Sequence, residues 1–397
     1  MLHVIPSVSP VRGGPSQAVL AMVRALRVEG VDAEIAATND DGDQVLEVPL
    51  ETLTTHADVP VRFFPRFSPI VRPVREFAYS GQLSRWLAAA VGSYDLIHVH
   101  AVFSYASTCA MRRARLRRVP YVNRPLGQLC VWSLQRRALK KRLYLALAER
   151  ANLRGAAALH FTTQQEQDEA AGLGLGTRGF VAPHGIELPA MVPDARVKLR
   201  AKLELPPDEK VVLFLSRVHP KKGLEVLIPA LARLAATERF TFVLAGNAES
   251  PAYEAQMKQL LRETGLAART RREDFASGEW KQTLLQGADV FALTSHSENF
   301  GIAVVEAMAA GLPVVVTPGV ALAREVAEFE TGTVPAMQPD AVSAALTGLL
   351  RDRDRREALG RAGARLVHER FTWPAAARRI VDEYRRILTA RPPVKGG

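Results

Sequence analysis

The segment from residue 288 to residue 316 constrains the fold more than any other part of this 397-residue chain. Val290–Leu293 is a short apolar run, which predicts a buried strand. Ile302–Ala310 follows as a run of good helix formers, and Gly311 with a proline two residues later is a typical helix end. Val314–Val316 then predicts another buried strand. We therefore expect a strand–loop–helix–strand unit of a parallel sheet.

The start of this predicted helix is a candidate anion site. Gly301 precedes the helix, and the free backbone N–H groups of a first helical turn bind phosphate. Glu298 and Glu306 lie on either side of it; a carboxylate repels phosphate but accepts hydrogen bonds from hydroxyl groups. A ligand that has a phosphate with a diol on each side is a nucleotide-sugar. The structural alternative is that Glu298 forms a capping box with Ser295 and that Glu306 pairs with a buried arginine.

The two glutamates have seven residues between them, enclose Asn299-Phe300-Gly301 and lead into Glu-Ala-Met-Ala-Ala-Gly-Leu-Pro-Val. This pattern closely resembles the signature of the retaining glycosyltransferases of family 4, the group 1 glycosyl transferases. The resemblance implies the α/β GT-B fold, with two Rossmann-like doubly wound domains that face a cleft. It also implies catalysis without a metal ion. The resemblance covers most of the chain and is strongest from Leu213 to Pro318.

The length favours two domains, because a single core rarely grows to this size. We expect an N-terminal Rossmann-like domain at residues 1–188, which the resemblance places on the acceptor side. A nucleotide-sugar-binding Rossmann-like domain should follow at 189–372. The remainder, 373–397, should contain a helix that crosses back to the first domain and a disordered tail, Arg391–Gly397.

The sequence also bears on the compartment. It contains no run of about 18 apolar residues, and its first residues lack the basic region and the apolar core of a signal peptide. We therefore expect neither a transmembrane helix nor a leader. Cys109 and Cys130 are the two cysteines, which indicates a reducing cytoplasm without a disulfide framework.

Positive charge is concentrated in one part of the first half. Residues 60–160 hold 18 Arg or Lys and 3 acidic residues, whereas the whole chain has a formal net charge of +11. A nucleic acid, an anionic membrane or lipid-linked acceptor, and a plain solvated face are the three interpretations. No RNP, zinc-finger or helix-turn-helix signature is present, so we do not expect nucleic acid. The Phe and Trp residues favour peripheral contact with the inner face of the plasma membrane and a glycan or lipid-linked acceptor.

The N-terminal half offers two candidate contacts. Gly13 and Gly14 precede a helix predicted from about Ser16, its N-cap, and glycine permits a close approach of the backbone to a phosphate. The resemblance implies that this loop closes on the donor diphosphate and the acceptor. His100 ends a predicted strand, Asp95–His100, at the sheet edge where ligands gather, so it is a candidate catalytic residue; His98 is interpreted as structural.

Two segments depart from simple patterns. Many relatives have a histidine at the position of Leu126, where it contacts the donor sugar, so we consider Asn123 or Arg124 as replacements. Asp40-Asp41-Gly42-Asp43 lacks the spacing of a calcium loop, and we interpret it as a solvated turn.

The second half offers a cationic pair. Arg217 follows a predicted strand, Lys210–Ser216, and Lys222 starts the next helix. The planar fork of an arginine and the compact charge of a lysine can converge on one diphosphate, although a solvated basic turn is the alternative. The pattern Ser-Arg-x-x-x-x-Lys-Gly-Leu also matches the family. In that family the loop at Asn247 lies beside the donor nucleotide. Asp274 replaces a usual glycine, so the base is not inferred.

The resemblance thus implies a retaining glycosyltransferase of polysaccharide biosynthesis, with a nucleotide-diphosphate-sugar as donor substrate and with no cofactor and no metal. We expect no covalent nucleophile, so the leaving group departs and the acceptor attacks on the same face of the sugar. The alternatives are a non-catalytic module that binds a nucleotide-sugar or polyanion, and a sugar-nucleotide epimerase. The candidate catalytic residues are Glu298, Arg217, Lys222 and His100. The candidate donor-binding residues are Gly13, Gly14, Arg217, Lys222, Asn247, Glu298, Asn299, Phe300, Gly301, Ile302 and Glu306.

Overall fold

The structure is a computed structural model that describes residues 1–69, 75, 77–135 and 138–390. The chain divides into two compact units. The first consists of Met1–Gly185 and the helix that begins at Trp373; the second is Ile186–Thr372. Each unit contains a mainly parallel sheet with helices, which confirms the predicted α/β class with two Rossmann-like domains. The predicted tail Arg391–Gly397 lies outside the described residues.

The first unit alternates strands and helices. Its strands are β1 (Leu2–Val4), β2 (Glu34–Thr38), β3 (Asp40–Asp41), β4 (Gln44–Val45), β5 (Leu53–His56), β6 (Val59–Phe64), β7 (Ile97–His100), β8 (Tyr121–Arg124), β9 (Ala158–Phe161) and β10 (Gly179–Val181). Its helices up to residue 171 are α1 (Gly14–Val28), α2 (Gly81–Ala90), α3 (Tyr105–Arg117), α4 (Val131–Gln135), α5 (Ala138–Tyr144), α6 (Arg150–Arg154) and α7 (Gln164–Ala171). A π-helix, Leu145–Glu149, joins α5 to α6.

The main sheet of this unit has the order β10-β9-β8-β7-β1-β2-β6-β5, with only β5 antiparallel to its neighbour. The chain order reverses between β1 and β7, and such a switch point is where open parallel sheets bind ligands. Helix α1 begins at Gly14, two residues before the predicted N-cap Ser16.

The second unit also alternates strands and helices. Its strands are β11 (Val211–Leu215), β12 (Thr241–Ala245), β13 (Thr270–Glu273), β14 (Val290–Leu293), β15 (Val314–Val316) and β16 (Gly332–Thr333). Its helices are α8 (Ala195–Lys202), α9 (Leu224–Leu234), α10 (Pro251–Glu263), α11 (Gly278–Gly287), α12 (Ile302–Ala309), α13 (Ala323–Glu328), α14 (Pro339–Arg351) and α15 (Arg353–Arg370). Helix α16 (Trp373–Thr389) belongs to the first unit, where its apolar side packs beside α1.

The second sheet has the order β13-β12-β11-β14-β15-β16, and all its described pairings are parallel. Strands β11, β12, β14 and β15 are buried along their whole length, which explains why they are continuous apolar runs rather than alternating ones. The predicted strand–loop–helix–strand unit is confirmed as β14, α12 and β15. The switch point here lies between β11 and β14.

None of the helices in the described ranges combines the length and the apolar character that crossing a bilayer requires.

Candidate functional site

Two loops meet at the carboxyl edge of the second unit's sheet, at its switch point. The loop after β11 and the loop after β14 are hydrogen-bonded to each other: Thr294 Oγ1 donates to the Gly223 carbonyl at 2.8 Å, and the His296 N–H donates to the Lys221 carbonyl at 2.9 Å. Gly223 has a φ of +67°, and a Cβ at this position would lie 1.9 Å from the Thr294 carbonyl oxygen. Only glycine therefore permits this approach.

This close approach leads to a first testable prediction. Gly223→Ala should lower the melting temperature of the second unit and impair ligand binding at the loop pair, because the backbone of both loops must move to remove the clash. Calorimetry measures the first effect and a nucleotide titration the second. Gly265→Ala is the matched control: Gly265 also has a positive φ, of +71°, but its Cβ would meet nothing within 4 Å. Equal effects of the two substitutions would contradict the proposed role of the loop contact.

An ion pair joins the side chains that these two loops carry. The Lys222 ammonium contacts the Glu298 carboxylate, and the two side chains are 12% and 19% exposed. The Glu298 backbone is also fixed, since its N–H donates to the Gly319 carbonyl at 2.8 Å and its carbonyl accepts from the Ala321 N–H at 2.9 Å. The structure thus brings together two predicted site residues that are 76 positions apart in the chain.

The start of α12 is available to an anion. Gly301 is its N-cap, has a φ of +84° and provides no side-chain cap. The Val304 N–H donates to the Gly301 carbonyl at 2.8 Å, which leaves the amides of Ile302 and Ala303 at the open end of the helix. The alternative capping box is wrong, because Ser295 is fully buried and its hydroxyl has no hydrogen-bond partner within the described part of the chain. Glu298 Cγ lies 3.4 Å from the position that a Gly301 Cβ would occupy. The carboxylate-bearing side chain therefore lies beside the helix start.

Neighbouring residues of this loop differ in what they can offer a ligand. Phe300 is buried, 3% exposed, with its ring 5.9 Å from that of Phe371. Its side chain therefore anchors the loop in the core. Asn299 is half-buried, and Ile302 is 38% exposed at the helix start.

Glu306 has a partner that the sequence did not indicate. Its carboxylate lies 2.6 Å from the Lys281 ammonium of α11, so the alternative of a buried arginine is wrong. Both side chains are partly exposed, 23% for Glu306 and 27% for Lys281, which leaves the carboxylate within reach of a ligand. Lys281 was missed because nothing in the local pattern of α11 distinguishes it from a surface lysine.

Arg217 occupies the predicted position but has a different neighbour. It follows β11 at the carboxyl edge, is 71% exposed, and pairs with Glu249 at 2.8 Å. The loops after β11 and β12 are adjacent, since the Val218 N–H donates to the Asn247 carbonyl at 2.9 Å. Convergence of Arg217 and Lys222 on one diphosphate stays a prediction.

The first unit has a cavity of about 260 Å³ at the carboxyl edge of its own sheet. Residues that follow β1, β7 and β8 line it, together with the start of α1. The polar lining includes Ser7, Arg12, Ser16, Ser104 and Gln128. Gly13, with a φ of +81°, is the N-cap of α1 without a side-chain cap, and both Gly13 and Gly14 are exposed. Ser16 is not the predicted N-cap; its hydroxyl donates to the Ser7 carbonyl at 2.8 Å.

The interpretation of residues 40–43 as a solvated turn is wrong at its first residue. Asp40 is 2% exposed and forms ion pairs with Arg12, at 2.5 Å, and with the buried Arg66. Strands β3 and β4 form a hairpin here. The burial of this carboxylate is compensated by arginines 28 and 26 positions away, which the local turn pattern does not reveal.

His100 ends β7 but is buried, 1% exposed, with its Nε2 3.0 Å from His3 Nδ1. Burial, and then the charges of His3 and Arg124, lower the pKa of His100 well below its usual value. The His100 ring is covered by the protein, so it offers a ligand no exposed surface in this structure. The predicted contact of His100 with substrate stays a prediction. His98 is buried, and its Nδ1 is hydrogen-bonded to the Tyr384 hydroxyl at 2.6 Å, which agrees with a structural role.

The suggested replacements for the histidine at position 126 are also buried. Asn123 donates to the Ala101 carbonyl at 2.9 Å, and Arg124 lies 2.9 Å from His184 Nδ1. Both are 0% exposed, which argues against that suggestion. Leu126 itself lines the cavity with a φ of +57°. Glu166 holds its turn by accepting the Gly127 N–H at 2.6 Å.

Two family models match the chain, one on each unit. Residues 13–185 match the model described as Glycosyl transferase 4-like domain, and residues 195–366 match Glycosyl transferases group 1. The D-inositol 3-phosphate glycosyltransferase of Xylanimonas cellulosilytica is 29% identical over 96% of this chain and 93% of its own length. The enzyme of the same name from Jonesia denitrificans is 27% identical over 98% and 95%.

Solved structures share the fold. Sucrose-phosphate synthase from Thermosynechococcus elongatus superposes with a TM-score of 0.77 at 23% identity, covering 98% of this chain and 99% of that one. Anabaena HepE in complex with UDP and glucose gives 0.71 at 21% identity, covering 97% and 99%. Because the two models together span both units, each with a Rossmann-like sheet, the chain belongs to the group 1 glycosyl transferases of the family 4 type and has the GT-B fold.

Proposed function

We propose that the protein transfers a sugar from a nucleotide-diphosphate-sugar to an acceptor hydroxyl, with retention at the anomeric carbon and without a metal ion. The observation that carries this proposal is the uncapped start of α12, with the Lys222–Glu298 pair beside it at the switch point of the second sheet. Helix amides and a lysine suit a diphosphate, and the adjacent carboxylate suits sugar hydroxyls. HepE, a structural neighbour, has been solved with UDP-glucose, which supports a donor of this class.

Each second-unit residue has a distinct task in this proposal. The α12 amides near Gly301 and the Lys222 ammonium hold the diphosphate, and Arg217 can leave its exposed pair with Glu249 to join them. Glu298 orients the hydroxyl groups of the transferred sugar. Glu306, whose carboxylate is held by its ion pair with Lys281, binds the ribose hydroxyls.

The difficult step is charge separation at the anomeric carbon. The bond between this carbon and the diphosphate oxygen breaks, the sugar becomes oxocarbenium-like, and the negative charge develops on the departing diphosphate. Lys222 and the helix amides lie where that charge grows, so they stabilise the transition state more than the bound donor. The acceptor oxygen then bonds to the anomeric carbon on the same face, and its proton passes to the diphosphate oxygen. The products are the glycoside and a nucleoside diphosphate.

The acceptor belongs to the cavity of the first unit in this proposal. Its volume of about 260 Å³ suits one sugar-sized ring, and its serine and glutamine side chains suit hydroxyl groups. We favour a glycan or lipid-linked acceptor in polysaccharide biosynthesis, with peripheral contact of the basic 60–160 region with an anionic membrane. The names of the relatives make D-inositol 3-phosphate the second candidate. Arg12, which lines the cavity together with its ion-pair partner Asp40, is the cation that would bind the phosphate.

Binding of the donor can be tested by thermal shift. UDP and UDP-glucose, each at about a hundredfold its Kd, should stabilise the protein by about 2.7 kcal/mol, because a ligand that binds only the folded state raises its stability. Arg217→Ala should strongly reduce this shift. Arg233→Ala is the control, since Arg233 also forms an exposed ion pair, with Asp340. An unchanged shift in Arg217→Ala would show that Arg217 is not part of the diphosphate site.

A product assay separates the proposal from its rivals. With acceptor present and EDTA added, the enzyme should release nucleoside diphosphate and form a glycoside with the donor's anomeric configuration. An epimerase would convert the donor without an acceptor, and a binding module would do neither. Loss of activity in EDTA that added Mg²⁺ restores would contradict the metal-independent step.

A further inference from the structure

A stripe of exposed leucines runs along one helix of the first unit. Helix α5, the π-helix and α6 form one continuous helical segment from Ala138 to Arg154. Leu139, Leu143 and Leu147 follow one another at intervals of four residues and are 82%, 59% and 79% exposed. Residues four apart lie on the same side of a helix. We call these three side chains the leucine stripe.

The other side of the same segment is packed and hydrogen-bonded. The Tyr144 hydroxyl lies 2.6 Å from Thr108 Oγ1 of α3, and the Thr108 hydroxyl donates a hydrogen bond to the buried Glu149 carboxylate. Leu145 and Leu153 are buried in the core of the unit. The orientation of the helix is therefore fixed by these contacts, so that the leucine stripe faces outward as part of the folded structure.

Cations border the stripe. Lys140 and Arg142, on the same helix, are exposed and pair with no acidic residue within the described ranges. The sequence has no Asp or Glu from Leu96 to Ala148, a stretch with eleven Arg or Lys residues. Exposed leucines beside uncompensated positive charge suit an anionic bilayer, whose headgroups attract the cations and whose acyl region accepts the leucines. A protein partner or a second copy of this basic surface would have to supply the missing negative charge.

We propose that the leucine stripe inserts into the surface of an anionic lipid bilayer and is the element that docks the enzyme on the membrane. This inference rests on the proposed membrane contact of the basic region and names the residues that enter the lipid. Lys140 and Arg142 then lie at the level of the phosphate groups. Because the segment is short and lies along the surface, the mode of binding is peripheral.

Vesicle co-sedimentation with the full chain tests the proposal. Wild-type protein should bind vesicles of phosphatidylcholine with about 30% phosphatidylglycerol and should bind pure phosphatidylcholine vesicles weakly. Substituting all three leucines with glutamine should reduce the partition coefficient roughly a thousandfold, at about tenfold per leucine. Lys140→Gln with Arg142→Gln should reduce it by roughly 25-fold at low salt, about fivefold per charge.

A matched control replaces three other exposed apolar residues, Val28, Met191 and Val197, which are 82%, 84% and 66% exposed, with glutamine. This control should bind vesicles like wild type. Equal binding by the leucine-stripe variant and the wild type overturns the inference. So does a wild-type dimer that the stripe variant converts to a monomer without any change in vesicle binding.

Two further measurements keep this test separate from donor binding and from misfolding. The stripe variant should retain the thermal shift with UDP; a normal shift together with unchanged vesicle binding would overturn the docking inference and leave the proposed function intact. Leu143→Trp preserves an apolar side chain at the centre of the stripe. It should bind anionic vesicles, and its added fluorescence should be quenched by brominated lipid, whereas an unquenched signal overturns the insertion of this residue.

Discussion

Replacing Lys222 with alanine should lower kcat by about 10²- to 10³-fold, the usual effect of removing one group that stabilises charge developing in a transition state. In the structure the Lys222 ammonium forms an ion pair with the Glu298 carboxylate beside the start of α12, where the diphosphate would depart. Without the lysine, the helix amides and Arg217 remain to stabilise the leaving group. Initial-rate kinetics with UDP-sugar and acceptor measure the effect.

The same substitution also leaves Glu298 without its partner, so stability must be separated from catalysis. Glu298 is 19% exposed, and an uncompensated carboxylate of this kind costs about 1–3 kcal/mol of folding free energy. Lys222→Ala with Glu298→Gln should therefore recover melting temperature without recovering kcat. Lys221→Ala, which removes a positive charge from the neighbouring position, is the control and should leave kcat within a few-fold of wild type. A fully active Lys222→Ala enzyme would remove the lysine from the proposed mechanism.

The central part of this site could be predicted from the sequence because its signals are local. The apolar run of β14, the glycine at position 301 and the helix formers of α12 lie within about 20 residues. The residue types in each of these segments are enough to predict the strand, the turn and the start of the helix. To predict the contact between Lys222 and Glu298, one must also expect that two loops at the carboxyl edge of a parallel sheet lie close together. In the structure β11 and β14 are neighbouring strands, so the loops that follow them are adjacent.

The remaining features depend on contacts that local patterns do not encode. The partner of Glu306 is on another helix, and Lys281 resembles any surface lysine in the sequence. Asp40 lies in an acidic stretch of the sequence, yet its side chain is buried and forms ion pairs with Arg12 and Arg66. Predicting such pairs requires the packing of several elements at once, whereas a turn or a helix end is decided by a few adjacent residues.

The histidines of the first unit illustrate the same limit, and they lead to the second large prediction. The structure gathers histidines from β1, β7, β9 and the segment after β10 in one buried region that also contains Arg124 and Tyr384. They are His3, His98, His100, His160 and His184. Burial is the main reason that the pKa of each is lowered, and the charge of Arg124 lowers it further. These rings are therefore neutral in the folded protein at neutral pH.

Acidification from pH 7 to pH 5 should accordingly destabilise the first unit. A histidine in the unfolded chain has a pKa near 6.5, whereas burial and the N-terminal ammonium lower the pKa of His3 to about 3. Below pH 6.5 the unfolded state binds more protons than the folded state, so stability is complete above that pH and is lost as the pH falls. His3 alone should cost about 2 kcal/mol between pH 6.5 and 5, out of a typical total of about 5–15. The other four act in the same direction.

Urea unfolding of the full chain at pH 7.5, 6.5, 5.5 and 5.0 measures this dependence. Ordinary carboxyl groups remain largely ionised above pH 5. Burial raises the pKa of Glu149 and Glu166, so these two groups oppose the histidine slope, and the five histidines set its sign. His3→Leu removes one of the titrating groups and should make the slope less steep, whereas His368→Leu, at an exposed position on α15, should leave it unchanged. A free energy of unfolding that does not vary across this range would mean that the buried histidines already bind protons in the folded state. The neutral core would then be wrong, and the hydrogen bond between His3 and His100 would have to be reassigned as one donated by a charged imidazolium.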